Sequence, residues 1–211
     1  KDSFKGDYHD FLATALGLPR LHVALMLTPD DGGTDGRSDP ARFPARAPVL
    51  DFCRHLRVRR DVGEIVRLPE RTGAPYRLTL HEGEALFAAG DRAGYFSGLD
   101  GAGDALVFLD PDNGFEPERS CSDKHVRYGE VAGILDQLPP DSVVSVFQHF
   151  RRISFPLDFD RIRRRLDPFH STAIFWHSLM FVAVGKSEPA IRKVAAANRD
   201  YAQRYPVTLL I

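Results

Sequence analysis

Two spacings of apolar residues alternate along the chain, and together they predict an order of helices and strands. Short apolar runs at residues 21–27, 105–109 and 142–147 are typical of buried strands. Residues 124–138, between the last two runs, have helical spacing instead. Strands that alternate with helices favour a mostly parallel sheet with helices on both faces. We therefore expect one α/β domain of this kind over residues 1–211.

The same criteria predict the remaining elements. In the first helix, Asp7 is expected to be the N-cap and Gly17 the residue that ends the helix. Residues 172–184 are expected to form one long strand or a bent pair of strands. Further helices are predicted at residues 1–17, 49–58, 85–96, 158–166 and 188–205, and further strands at residues 62–68, 76–80 and 207–211.

Polar residues cluster directly after three of the predicted strands. Ligands of open α/β sheets bind at the carboxyl ends of strands, so three neighbouring strand ends would form one crevice. The residues concerned are the Asp- and Gly-rich loop 30–37 after the first strand, Asp110, Asp112 and Asn113 after the central strand, and Gln148, His149 and Arg151 after the next strand.

Asp110 and Asp112 lie one residue apart, and their carboxylates fit three roles. They can bind a divalent cation, orient a hydroxyl or amino group of a substrate, or cap the turn and the next helix. In the first role Asp30 completes a set of ligands for Mg²⁺ or Mn²⁺, with His149 nearby as a base. That arrangement predicts a metal-dependent hydrolase or nuclease. His149 is otherwise a structural residue at a strand end.

Charge is balanced over the whole chain and concentrated locally. The formal net charge of −1 gives no overall field of the kind that attracts nucleic acids. Arginine is nevertheless concentrated at Arg151 and Arg152 and along residues 161–165. One interpretation is a solvated helix face. The other is a rim that contacts the phosphates of a nucleic acid.

Cysteine content and hydropathy indicate a cytoplasmic protein. Cys53 and Cys121 are too few for a disulfide framework, which favours a reducing compartment. No apolar run approaches the length needed to span a membrane, so no membrane association is expected. Residues 1–10 are charged and have no signal-peptide core. The sequence predicts no oligomeric state.

Three segments together carry a resemblance to a known family. They are Gly6-Asp7-Tyr8-His9-Asp10 in the first helix, the LTPD…DGR loop at residues 27–37, and Asp110-Pro111-Asp112-Asn113. In this order the chain resembles class I S-adenosylmethionine-dependent methyltransferases. More narrowly, it resembles the bacterial family that N6-methylates an adenine of large-subunit ribosomal RNA, and this resemblance implies a Rossmann-like fold. It also looks like an uncharacterised bacterial family that shares the LTPD…DGR and FLDPDNG segments.

The resemblance implies that S-adenosylmethionine lies over loop 30–37, with the helix of residues 6–10 above it. Methyl transfer would then act on an amino group of a nucleic acid or nucleotide. The cofactor-binding residues that it implies are Gly6, Asp7, Asp10, Thr28, Asp30, Gly32, Gly33 and Asp35. The catalytic candidates are Asp110, Asp112, Asn113 and His149.

The family pattern ends in Asp-Pro-Pro-Tyr, and Asp112-Asn113 replaces its last two residues here. Phe115 is therefore the expected stacking partner of a substrate base, and Asn113 the expected partner of a base edge. The full set of expected substrate contacts is Phe115, Lys124, Gln148, Arg151 and Arg152. A third hypothesis is a non-catalytic interaction protein with a degenerate pocket.

Overall fold

The chain forms one large sheet and a separate two-stranded ladder. The computed structural model describes residues 1–29, 39–83, 85–87, 89–99 and 103–211. Within these residues the strands are β1 (Arg20–Ala24), β2 (Arg77–Leu80), β3 (Leu106–Leu109), β4 (Gly114–Phe115), β5 (His125–Val126), β6 (Val143–His149), β7 (His170–Trp176), β8 (Leu179–Gly185) and β9 (Thr208–Leu210).

Seven strands form the large sheet in the order β2-β1-β3-β6-β8-β7-β9, while β4 and β5 pair separately. β1 pairs in parallel with β2 and β3, and β3 pairs in parallel with β6. β8 and β9 run in the opposite direction and pair antiparallel with their neighbours. The parallel half of the sheet therefore brings the carboxyl ends of β1, β3 and β6 to one edge.

Helices cover both faces of the sheet, which confirms the predicted Rossmann-like α/β fold. The helices are α1 (Asp2–Leu16), α2 (Ala47–Arg59), α3 (Leu68–Thr72), α4 (Arg92–Ser97), α5 (Tyr128–Gln137), α6 (Phe155–Arg165) and α7 (Glu188–Ala202). One core contains buried residues of α1, α2 and α7, and the core on the other face contains buried residues of α4, α5 and α6. All four residues of β3 are buried because both of its faces are covered.

The first helix matches the predicted amphipathic pattern but begins earlier than predicted. Phe4, Tyr8 and Leu12, four residues apart, are fully buried. The helix starts at Asp2, so Asp7 lies inside it and the prediction that Asp7 is the N-cap is wrong. Gly17 ends the helix with a left-handed φ of 64°, as predicted.

Two predicted elements differ in the structure. Residues Val62–Arg67 form a 3-10 helix rather than a strand. Ile65 and Leu68 lie three residues apart and pack on the core, whereas Val62 and Val66 stay exposed. The helix predicted from residue 85 begins only at Arg92, because the Asp91 side chain accepts a hydrogen bond from the Gly94 N–H and caps it there.

Residues 172–184 form a bent pair of strands, which is one of the two predicted forms. β7 and β8 are a hairpin, and the chain turns at His177 with φ of 51°. The terminal strand β9 lies at the edge of the sheet, within the predicted range. Across the described parts of the chain, no helix has both the length and the apolar character needed to cross a bilayer.

Candidate functional site

The chain reverses its direction across the sheet at β1. It crosses from β1 to β2 on one side and later returns to β3 on the other side. In open α/β sheets such a reversal leaves a crevice at the carboxyl ends of the strands, where ligands bind. β6 lies next to β3 in the same parallel block. The three strand ends therefore meet at one edge, as the sequence predicted.

The segment after β1 turns sharply at this crevice. Met26 has φ of 48° although it is not glycine, and its side chain is buried. Its backbone N–H donates to the Tyr95 hydroxyl at 3.2 Å, and the Leu27 carbonyl accepts from the Phe87 N–H at 2.7 Å. A residue in the left-handed region stores on the order of 1 kcal/mol of strain, and such residues cluster at ligand sites.

Asp110 follows the last residue of β3. Its backbone N–H extends the ladder to β1 by donating to the Ala24 carbonyl at 2.8 Å. The Asp110 side chain is 13% exposed, and Lys5 Nζ lies 2.8 Å from each of its carboxylate oxygens. The same ammonium group lies 4.5 Å from the centre of the Phe147 ring. The first helix thus places a cation on the acidic residue of the central strand.

Lys5 and Asp110 form a buried ion pair. Burial raises the pKa of Asp110 above its ordinary value, against the opposing influence of Lys5. Burial lowers the pKa of Lys5, but Asp110, together with Asp2 and Asp112, more than offsets this, and the net pKa of Lys5 is raised. The raised pKa of Asp110 favours a protonated, neutral carboxyl group, whereas the raised pKa of Lys5 favours a charged ammonium group. We take the pair as charged, because an ammonium nitrogen 2.8 Å from both oxygens stabilises the carboxylate directly.

Asp112 connects the loops that follow β1 and β3. Its Oδ2 accepts a hydrogen bond from Thr28 Oγ1 at 2.5 Å. Lys124 Nζ lies 3.9 Å from the same oxygen. The Asp112 side chain is about half exposed, so the contact with Thr28 joins the two sides of the crevice at its surface. The structure therefore brings together three residues that were predicted separately.

Gln148 braces the turn that follows Asp112. Its side chain is fully buried, with Oε1 accepting from the Phe115 N–H at 2.9 Å and Nε2 donating to the Asn113 carbonyl at 3.3 Å. Gly114 has φ of 105°, and a Cβ there would lie 2.4 Å from Gln148 Oε1. The prediction that Gln148 contacts the substrate is wrong, because both ends of its amide hold the backbone of the turn.

Phe115 and Asn113 have opposite outcomes. The Phe115 ring is fully buried and stacks on Tyr128 with 5.2 Å between ring centroids. The prediction that Phe115 stacks on a substrate base is therefore wrong. Asn113 has an exposed side chain, and its backbone bonds to Lys124 at 2.9 Å and to His149 at 3.2 Å. Asn113 stays a candidate for contact with a ligand.

His149 ends β6 beside this turn. Its side chain is half-buried, and Nδ1 donates to the Phe150 carbonyl at 3.2 Å, which leaves Nε2 as the acceptor nitrogen. Side chains two residues apart on a strand lie on the same face of the sheet, so His149 lies on the same face as Phe147. Asp110 contacts Lys5 of α1 and lies on this face too. A base role for His149 stays a prediction.

Two of the arginines predicted to form a phosphate-binding rim make internal contacts. Arg151 forms a bidentate pair with the buried Asp158 carboxylate, at 3.0 Å and 2.7 Å, and also donates to the Phe115 carbonyl at 2.7 Å. The Arg151 side chain keeps 18% exposure, and its contact with a phosphate stays a prediction. Arg161 donates to the Glu116 carbonyl at 3.3 Å. Arg152 is exposed and stays a candidate. α6 runs away from the carboxyl edge, so its terminal arginines lie far from the crevice.

Three predicted cofactor residues of α1 belong to the helical layer. Asp7 Oδ1 accepts from Arg46 Nε at 2.7 Å, and Asp10 Oδ2 accepts from Arg46 Nη2 at 2.8 Å. A Cβ on Gly6 would contact side chains of α2 and α3, at 3.5 Å and 3.8 Å. Asp7 and Asp10 are fully buried and hold helices together, so their assignment to the cofactor is wrong. Gly6 is half-buried, and its assignment to the cofactor stays a prediction. Asp30, Gly32, Gly33 and Asp35 lie outside the described residues.

In the predicted metal site, Asp110 is not available as a ligand. Among the residues that the structure describes, no group of three His, Cys, Asp or Glu side chains is arranged to hold a metal ion. Both oxygens of Asp110 face the Lys5 ammonium, and a divalent cation there would repel it. The described residues therefore give the hydrolase alternative no support beyond Asp112, while Asp30 lies outside them.

Sequence reasoning missed two charged residues at this edge. Lys5 was overlooked because it sits beside the apolar stripe of α1 and looks like an ordinary surface lysine. Its position directly after the buried Phe4 was the available signal. Glu82 lies two residues beyond β2, with φ of 53° and an exposed side chain. In dinucleotide-binding sheets an acidic residue beyond the first βα turn binds ribose hydroxyls, which makes Glu82 a candidate for the same contact.

A cavity of about 710 Å³ lies away from this site, between α6 and α7. Arg163, Arg164, His170 and Arg192 line it, and the amino end of β7 forms its floor. None of the predicted site residues contributes to it. We locate the site by its strand ends rather than by cavity size, because ligand chemistry on this fold belongs to the carboxyl edge.

Comparisons with known proteins give one structural likeness. No protein-family model matches the sequence, and no curated protein matches it. A crystal structure of human methyltransferase-like protein 13 in complex with SAH is similar in structure. The sequence identity is 15%, the match covers 95% of this chain and 91% of the other, and the TM-score is 0.39. At these values the likeness assigns neither a family nor an activity to the chain.

Proposed function

We propose that the protein is a methyltransferase-type enzyme that binds S-adenosylmethionine in the crevice between β1 and β3. The acceptor is an N–H group of a nucleic acid or nucleotide. The observation that carries the proposal is the buried Asp110 carboxylate at the point where the chain reverses across the sheet. A carboxylate there suits a ligand that donates hydrogen bonds.

The residues around the crevice fit the cofactor in part. Lys5 lies 2.8 Å from each oxygen of Asp110, and because a carboxylate has about four acceptor positions, Asp110 can accept a further hydrogen bond from a ligand. Thr28 joins the loop after β1 to Asp112, and Glu82 lies beyond β2 on the same edge. In this proposal Thr28 and Glu82 hold S-adenosylmethionine, which supplies an electrophilic methyl group.

The chain's own contribution to the reaction is alignment. Methyl transfer depends mainly on holding the acceptor nitrogen in line with the methyl group. Asp110 accepts a hydrogen bond from the acceptor N–H, and the exposed Asn113 side chain contacts its neighbouring polar edge. His149, with Nε2 free as an acceptor, takes up the proton that the nitrogen releases. The contact of Arg152 with a nucleic-acid phosphate is part of the same proposal.

Calorimetric titration tests the cofactor first. The protein is titrated with S-adenosylmethionine and, separately, with MnCl₂. We expect saturable one-to-one binding of S-adenosylmethionine, lost in Asp30→Ala and retained in Asp141→Ala, an exposed residue before β6. Binding of Mn²⁺ that depends on Asp110, without binding of S-adenosylmethionine, would support the hydrolase instead. If neither S-adenosylmethionine nor Mn²⁺ gives a heat of binding, the non-catalytic interaction protein is favoured.

A further inference from the structure

The cavity between α6 and α7 lies at the opposite edge of the sheet from the crevice. β6 and β7 both pair antiparallel with β8, so they run in the same direction, and the amino end of β7 lies at the amino edge. β7 has seven residues. At about 3.3 Å per residue, its amino end lies about 20 Å from the carboxyl edge. The cavity is therefore separate from the proposed cofactor site.

The cavity is lined by charged side chains of both signs, with the positive ones in excess. The charged residues and the histidine that line it are Arg163 and Arg164 of α6, Asp167, His170 of β7, and Glu188 and Arg192 of α7. Three guanidinium groups outnumber two carboxylates here, and a neutral histidine leaves that sign unchanged. A concave surface with an excess of positive charge attracts anions.

The arginines of the cavity are available to a ligand. Arg164 is exposed and makes no hydrogen bond, ion pair or ring contact with any residue that the structure describes. Arg163 lies 3.1 Å from Asp160, and both side chains are about half exposed. Arg192 lies 3.2 Å from Glu188, and both are more than half exposed. Exposed ion pairs of this kind contribute little to stability, so these guanidinium groups can turn to an anion while the fold is kept.

One wall of the cavity is apolar. Pro168 and Phe169 line it from the turn between α6 and β7, and Ile191 and Ala195 line it from successive turns of α7. Ile191 and Ala195 are each 5% exposed, so this wall is continuous with the core. The volume of about 710 Å³ lies within the range of roughly 300–1,000 Å³ that is typical of small-molecule sites. The cavity thus suits a small molecule with an anionic group and an apolar body.

We propose that this cavity binds a small organic phosphate, with the phosphate among the three arginines and the apolar body against Phe169 and Ile191. A phosphate monoester has three terminal oxygens in a tetrahedral arrangement, so it can accept hydrogen bonds from guanidinium groups on two different helices. A carboxylate has two oxygens in one plane and suits a single guanidinium group better. The arginines at the end of α6 then bind a ligand away from the crevice, and this site is one of binding without a reaction.

Three small probes test the two halves of the cavity. Phenyl phosphate, inorganic phosphate and benzyl alcohol are titrated into the ¹⁵N-labelled protein, and the backbone amide signals of Phe169 and Ala195 are followed by NMR. We expect phenyl phosphate to shift both signals saturably and to bind at least about tenfold more tightly than inorganic phosphate, because its ring is buried on the apolar wall. Benzyl alcohol should leave the signals unchanged. Equal affinities for the two phosphates, or no binding of phenyl phosphate, would overturn the inference.

Two neighbouring arginines provide a matched pair of variants. Arg164→Met should weaken the binding of phenyl phosphate at least about fivefold, and Arg164→Lys should weaken it less because the charge is kept. Arg165 is also exposed, but its guanidinium lies 5.1 Å from the centre of the Tyr128 ring and outside the cavity lining. Arg165→Met should therefore change the affinity less than about twofold. Equal weakening in Arg164→Met and Arg165→Met would show a general effect of charge and overturn the site.

Two further results would place the anion elsewhere. Shifts at Asn113 and His149 in place of those at Phe169 and Ala195 would locate phenyl phosphate at the crevice and overturn the inference. Binding of a single-stranded oligonucleotide that depends on Arg164, without binding of phenyl phosphate, would assign the arginines to a nucleic-acid backbone and also overturn it. Because this inference does not use S-adenosylmethionine, the calorimetric titration with that cofactor tests the proposed function alone.

Discussion

Two pairs of carboxylates lie close to the first helix, and the protein uses them differently. Asp7 and Asp10 are fully buried, and each accepts at least three hydrogen bonds, from Arg46, Tyr201, Thr72 and Tyr76. Asp110 and Asp112 lie at the carboxyl edge, and the partners that they have are Lys5, Thr28 and Lys124. Both pairs were equally plausible ligands in the sequence.

The difference lies in how many donors each carboxylate already has. A buried carboxylate bonded on both oxygens to fixed donors has its charge compensated and stabilises the packing of helices. Asp110 has the single cation Lys5, and Asp112 is about half exposed, so both carboxylates keep acceptor positions that internal donors do not fill. Saturation with internal donors therefore distinguishes the structural pair from the candidate functional pair.

Loss of the shared arginine is the strongest way to break the structural pair. Arg46→Met leaves the carboxylates of Asp7 and Asp10 buried without a cation, and we expect a loss of about 3 kcal/mol in the free energy of unfolding. Urea denaturation followed by circular dichroism measures it. Arg54→Met removes an exposed pair with Asp51 and should cost less than about 0.5 kcal/mol. Equal losses in the two variants would contradict the distinction.

The candidate functional pair depends on the turn that follows Asp112, and a single added methyl group at Gly114 tests that turn. Gly114→Ala places a Cβ 2.4 Å from Gln148 Oε1 and 2.8 Å from the Gln148 Cα, at φ of 105°. We expect a loss of about 2–3 kcal/mol in the free energy of unfolding. Gly133→Ala, inside α5 with no atom within 4 Å of its Cβ, should instead add about 0.5–1 kcal/mol. A Gly114→Ala protein as stable as the wild type would contradict the close packing of Gln148 against this turn.

The edge of the sheet that carries the site could be predicted from the sequence. Buried apolar runs ending in polar clusters located β1, β3 and β6, because periodicity and strand ends are local properties. The partners of each carboxylate could not be predicted, since they depend on contacts between distant residues. Lys5 and Asp110 are 105 residues apart, and Tyr201 and Asp7 are 194 apart.

The environment of the apolar residue Phe115 could not be predicted from the sequence either. Its position after Asp112 suggested a stacking ring, but a local pattern does not reveal that Gln148 bonds its backbone and turns the ring inward. The strand predicted at residues 62–68 failed for a related reason. Its apolar residues also satisfy a three-residue spacing, and only packing against α2 and α3 decides between the two.

Acid should weaken the layer beneath α1. Burial lowers the pKa of His9 to about 3, while its unfolded value is about 6.5. The unfolded chain therefore binds the proton first, so stability is full above pH 6.5 and falls as the pH drops towards 3. At pH 5 the expected loss from His9 is about 2 kcal/mol.

The comparison for this pH effect is between two histidine variants. His9→Gln should flatten the dependence of unfolding free energy on pH between 6.5 and 4, whereas the exposed His177→Gln should leave it unchanged. His22, with its pKa lowered to about 4 by burial, contributes in the same direction and remains as a residual slope. An unchanged slope in His9→Gln would show that His9 is not held neutral in the fold.

The smallest expected effect on stability separates the two carboxylate pairs most cleanly. Thr28→Val removes the hydroxyl that donates to Asp112 across the crevice, and the exposed contact contributes at most about 1 kcal/mol to folding. If this contact orders the loop over the cofactor, affinity for S-adenosylmethionine should fall by about tenfold. Thr72→Val, which removes a donor to Asp10, should lower stability and leave the affinity unchanged. Calorimetric titration and urea denaturation of both variants provide the four values, and the reverse pattern would assign the functional role to the pair on α1.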